Sequence, residues 1–121
     1  MESFSVSKRR VVRVVIKQGM PTVDDAMADL DRSLRQCLAG GVKVVRLVHG
    51  YGSTGRGGRI RDAARRELGH WLRRGEVTEV VYGERYESMT EPGRTLLTKY
   101  PELQSTLRDD SGNPGMTMVV M

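Results

Sequence analysis

The chain has one cysteine, one tryptophan and one phenylalanine among its 121 residues, and aromatics make up only 5%. A single Cys37 excludes an internal disulfide and a cysteine-based zinc site. With so few rings, the core must come from Val, Leu, Ile, Met and Ala. No apolar run approaches the roughly 18 residues that span a bilayer, so no membrane partner is expected. The first ten residues, MESFSVSKRR, lack the apolar centre of a signal peptide, and the cytoplasm is the expected compartment. No cluster of His, Cys, Asp and Glu has metal-ligand spacing, so neither a metal nor a cofactor is expected.

What the chain does have is positive charge, and it is unevenly placed. The net charge is +5. Residues 53–74 hold seven arginines against Asp62 and Glu67, while the remainder balances at 13 basic and 13 acidic residues. The whole excess therefore lies on one loop and the helix after it. Such a patch points to a polyanionic partner, bound in a salt-dependent way. A solvated helix face is the plain alternative.

The order of elements follows from periodicity. RRVVRVVIKQ (9–18) is β-branched and reads as a strand, its near-continuous apolar character suggesting burial on both sides. PTVDDAMADLDRSLRQCLAGG reads as a helix, with Thr22 and Asp25 as a capping pair and Gly40-Gly41 as its stop. Its apolar positions are Val23, Ala26, Met27, Leu30, Leu34, Cys37 and Leu38. VKVVRLVH (42–49) is a second strand. Ile60, Ala63, Ala64, Leu68, Trp71 and Leu72 mark a second helix, with Arg65, Arg66 and Arg73 assigned to the opposite side and Glu67 a misfit in the apolar arc. VTEVVYG (77–83) is a third strand, and MTMVVM (116–121) a fourth. Residues 84–115 form a long polar insertion in which GRTLLTKY and ELQSTLRD read as short helical turns.

This βαβαβ order with a last strand after a long return predicts one α/β domain over residues 1–121. Its sheet is mixed and four-stranded, the final strand antiparallel. Ligands in such sheets gather at the carboxyl ends of the parallel strands. That rule brings Gln18-Gly19, the His49 loop and Glu84 to one edge.

The loop after the second strand, HGYGSTGRGG, carries five glycines. Amides in such turns, followed by a helix start, form an anion site. Arg56, Arg59 and Arg61 stand where phosphates would lie, and arginine grips phosphate with two parallel hydrogen bonds. A nucleotide P-loop is excluded, because the run ends in Gly-Gly-Arg rather than Gly-Lys-Ser/Thr. GYGSTG does contain Gly-x-Gly-x-x-Gly, but no acidic residue follows at the dinucleotide spacing. His49 has two open readings: a proton-transfer group or phosphate donor, or a ring that fixes the loop through a backbone hydrogen bond. His70, late in its helix, is read as favouring the negative helix end.

These residues resemble the Smr (small MutS-related) domain. The resemblance rests on GMPTVDDAMADLDRSL, on VVRLVHGYGSTGRGGRIRDAARREL with its His-Gly-x-Gly at His49–Gly52, and on NPGMTMVVM. It implies a two-layer α/β sandwich similar to the C-terminal domain of bacterial initiation factor 3. It implies nucleic acid, DNA or RNA, as partner, and some bacterial members act on messenger RNA at collided ribosomes. Several members cleave DNA or RNA. The family's other motif, Leu-Asp-x-His-Gly, is replaced here by Val15-Ile16-Lys17-Gln18-Gly19. Isoleucine moves no proton and glutamine does not titrate.

The reading is therefore backbone recognition of nucleic acid. Gly50, Gly52 and Gly55 cradle a phosphate, Arg56, Arg59 and Arg61 clamp it, and Arg65, Arg66, Arg73 and Gln18 extend the surface. The alternatives are an endonuclease using His49 and a protein-interaction module.

Overall fold

The computed structural model describes residues 10–16, 22–50 and 56–121, with side chains in the last stretch from residue 58 onward. Four strands form one sheet: β1 (Val11–Val15), β2 (Val44–Val48), β3 (Glu79–Tyr82) and β4 (Met116–Val120). Helix α1 (Val23–Ala39) joins β1 to β2, and α2 (Arg56–Arg74) precedes β3. The strand order is β1-β2-β4-β3. β1 and β2 are parallel, and β4 runs antiparallel to both β2 and β3. The α/β class, the mixed sheet and the antiparallel last strand are thus as the sequence reads.

Helix α1 starts where Thr22 accepts a hydrogen bond from the Asp25 amide at 3.0 Å, so the capping oxygen satisfies an amide that the first helical turn leaves unpaired. It ends at Gly40, and Gly41 takes a φ of 78°, which a side chain would oppose. One face of α1 buries Ala26, Leu30, Leu34 and Cys37. These pack with Ile60, Ala64, Leu68 and Trp71 of α2 and with Val45, Leu47 and Val119 of the sheet. Leu38 and Leu72, read as apolar-face residues, are instead exposed at 40% and 38%. Glu67 is half-buried and makes no ion pair among the described residues.

Segment 84–115 covers the sheet's opposite face. It begins within a 3-10 turn at Gly83–Arg85 and contains a second at Pro101–Thr106, helix α3 (Glu91–Lys99) and the short α4 (Leu107–Asp110). Tyr86, Leu96, Leu97, Tyr100 and Leu103 pack there against Val44, Met116, Met118 and Val120. The two-layer sandwich of sheet with α1 and α2 is present, and the return segment adds a helical cover behind it. The continuous burial of β4 requires this: all five of its residues are buried, so both faces need partners. A bidentate pair, Arg46 to Asp110 at 2.7 and 3.1 Å, ties β2 to α4 within this cover.

β1 departs from the sequence reading. It is an edge strand with β2 as its one neighbour, and Arg13 and Val15 are exposed. A run of valines signals strand propensity without saying whether both faces are covered.

Candidate nucleic-acid interface

The carboxyl end of β2 enters the glycine loop through His49 and Gly50. Both amides donate to the Gly115 carbonyl, each at 2.9 Å. Gly50 has a φ of 75°, a left-handed conformation that glycine adopts without cost. The base of the loop is thus pinned to the residue preceding β4.

His49 is fully buried. Its Nδ1 lies 2.7 Å from the Gly50 carbonyl, and its Nε2 lies 2.9 Å from the Thr117 hydroxyl. A carbonyl only accepts, so Nδ1 carries the proton and donates; Nε2 then accepts from the Thr117 hydroxyl. The Thr117 oxygen in turn accepts from Arg65 Nε at 3.1 Å. Arg65 also donates to the Met116 carbonyl at 3.2 Å and bidentately to Glu84 at 2.9 and 2.7 Å. A continuous chain of donors runs from Arg65 through Thr117 and His49 to the loop backbone. It joins α2, β4, β2 and the end of β3 at one sheet edge.

The electrostatics favour a neutral ring. Burial lowers the His49 pKa below its ordinary 6.5, and the charges of Arg65 and Arg61 act in the same direction; the Gly50 carbonyl and Glu84 oppose them. The hydrogen bonds from Arg65 hold the Glu84 carboxyl below its usual range. Both ring nitrogens of His49 have partners, which matches the loop-fixing reading of this residue.

Arg65 requires a correction. The sequence places it on the solvent side of α2, but its side chain is only 10% exposed and its guanidinium stacks over the Tyr82 ring at 4.0 Å. It borders the apolar stripe, and its long stem carries the guanidinium to Thr117 and Glu84 at the sheet edge. Arg59, Arg66 and Arg73 do face outward. They are spaced seven residues apart and so form one row along α2, each step roughly 10 Å. Arg59 and Arg66 have no acidic partner among the described residues, and Arg73 donates to His70 Nδ1 at 2.7 Å. Arg61 is half-buried and lies 3.4 Å from Asp62. The backbone of Arg56 opens α2; Gln18, Gly52 and Gly55 lie outside the described residues. No metal-binding group of His, Cys, Asp or Glu occurs among the described residues.

Of the expected edge, His49 and Glu84 are brought together, through Arg65. Thr117 was not singled out from the sequence, although a lone polar residue inside MTMVVM was the available signal. At the displaced motif, Ile16 is wholly buried in the core beside α1 and α2.

A mixed four-stranded sheet, a His-Gly turn pinned to its last strand and an arginine-bearing helix leaving that turn define a family. The Smr domain model matches residues 18–91, more than half of the chain, and the protein belongs to the Smr domain family. Among solved structures, the Smr domain of Thermus thermophilus MutS2 aligns with a TM-score of 0.53 at 24% identity, over 89% of this chain and 94% of that one. At that identity the likeness concerns the fold. No curated protein matches the chain.

Proposed function

We propose that this Smr domain binds DNA or RNA through backbone phosphates, using the glycine loop and the outer face of α2. The observation that carries this reading is the row Arg59, Arg66 and Arg73, which is exposed beside a loop whose base is rigidly held. Exposed arginines without carboxylate partners keep their guanidinium forks available to phosphate. The amides of Gly52 and Gly55 supply the cradle, with Arg56, Arg59 and Arg61 closing over it; the Gly50 amide, expected from the sequence to join them, is instead taken by the Gly115 carbonyl and holds the base of the loop. Arg65 is reassigned from the extended binding surface to a positioning role, because Glu84, Thr117 and Met116 already take its donors. Cleavage with His49 as proton carrier is the less supported reading, since the ring is buried and the Asp and His of the other motif are Ile16 and Gln18.

The test is a salt titration of binding to duplex DNA and single-stranded RNA, with Arg59→Ala plus Arg66→Ala beside wild type. The double variant should bind more weakly at every salt concentration. Its duplex log–log salt slope should be shallower by about 2, one unit per lost phosphate contact. Equal affinity and slope would remove the α2 row from the interface.

A further inference from the structure

β3 is an edge strand, and a groove of about 430 Å³ runs along its outer side. Arg65, Gly69 and Leu72 of α2 form one wall, and Arg85 and Pro92 lie across from them. The first residue of β3, Glu79, and its last, Tyr82, both line it. Tyr82 is 41% exposed and is the one exposed aromatic ring among the described residues. Trp71, Tyr86 and Tyr100 are all buried. Among the described residues, this one ring is left half in water, in a groove, with an arginine stacked on it.

We infer that this groove takes one unpaired nucleobase stacked against Tyr82, at the side of the phosphate track. The inference rests on the phosphate-binding reading and extends it to single strands. Three features favour a nucleotide. The guanidinium of Arg65 lies 4.0 Å from the ring centroid and is locked by Glu84 and Thr117, so Tyr82 is held in place before a base arrives. Gly69 presents no side chain to the groove: a Cβ added there would meet nothing closer than the Arg73 side chain at 3.8 Å, so the helix wall leaves the groove's roughly 430 Å³ open. The charges along the groove are also polarised. Arg85 lies at the Tyr82 end, where the Arg65 charge is already paired with Glu84, while Glu79 stands three residues before Tyr82, roughly 10 Å along the strand. A phosphate suits Arg85. Exocyclic amino groups of a base suit the carboxylate and the unpaired carbonyls of an edge strand. Bases stack on aromatic side chains whatever their identity, so the site would prefer single strands without reading sequence.

The experiment uses a short single-stranded RNA carrying 2-aminopurine, and its duplex, with wild type, Tyr82→Phe, Tyr82→Leu and Arg59→Ala. Circular dichroism checks folding. Wild type and Tyr82→Phe should quench the 2-aminopurine fluorescence of the single strand. Tyr82→Leu should abolish the quenching and weaken single-strand binding about tenfold or more, with duplex binding unchanged. Arg59→Ala should weaken both ligands and keep the quenching at saturation. Quenching that survives Tyr82→Leu, or single-strand affinity that ignores it, overturns the stacking site and leaves the groove to an extended peptide pairing with β3. If wild type binds neither ligand, the phosphate-binding reading falls with it; if it binds both and only the Tyr82 variants are silent, that reading stands.

Discussion

The Thr117 hydroxyl bridges Arg65 Nε, at 3.1 Å, and His49 Nε2, at 2.9 Å, inside the sheet edge. Its proton points to the imidazole because the guanidinium only donates, whereas the unprotonated Nε2 accepts. Thr117→Val keeps the shape and removes both bonds. It should destabilise the fold by about 1–3 kcal/mol, since a buried ring nitrogen and a guanidinium donor lose their partner. Thr117→Ser should recover most of that loss. Urea denaturation of the three proteins checks it.

The same geometry sets a pH dependence. His49 is neutral when folded, and its pKa lies below the ordinary 6.5 because burial penalises the cation. The unfolded chain therefore takes up a proton first as pH falls. The His49 contribution is fully present above about pH 6.5 and is lost between that value and the lower folded pKa. Melting temperature should drop on going from pH 7.5 to 5.5 in wild type, and drop less in His49→Gln. Glu84, whose pKa is lowered by Arg65, contributes above its ordinary 4.5 and loses that contribution only in more acidic solution. Melting curves at pH 7.5, 5.5 and 3.5 separate the two groups.

The pair between Arg46 and Asp110 is 13% and 4% exposed. Asp110→Ala leaves a guanidinium buried without its partner and should cost about 3–5 kcal/mol. Replacing both residues by apolar ones of similar size should cost much less. A double-mutant cycle read by urea denaturation decides between a stabilising pair and one whose removal hurts only when half is left behind.

Gly93 has no room for a side chain: a Cβ there would stand 1.8 Å from the Glu87 carbonyl oxygen. Gly83 is equally tight, at 1.9 Å from the Asn113 carbonyl oxygen. Alanine at either position forces backbone apart, and expressed soluble yield or melting temperature should fall sharply. Alanine at Gly69 meets an ordinary contact, sits in a helix and should be neutral or mildly stabilising. Melting curves of the three variants check the contrast.

The order of elements and the meeting of His49 with Glu84 were legible because they depend on local pattern and on one topological rule. β-branched runs, Thr22 before the first helix and paired glycines after it mark the boundaries. The carboxyl-edge rule places His49 with Glu84. The role of Arg65 was not legible, because its partners Glu84 and Thr117 lie 19 and 52 residues further on, and a helical wheel records only neighbours along the helix. The cover formed by residues 84–115 was legible as short helices but not as a layer. That follows only once β4 is known to be buried on both faces.

β4 sits between β2 and β3, although it is the last strand to be made. The sheet therefore cannot close in the order of synthesis. Until residues 116–120 emerge from the ribosome, β2 and β3 each present an open strand edge, and the loop at His49 lacks the Gly115 carbonyl that anchors it. The pairing that completes the sheet joins Val44 to Val120 across most of the chain, a long-range contact of the kind that slows folding. Anchoring of the His49 loop and closure of the sheet are in this sense one late event, and a nascent chain has neither until both are complete.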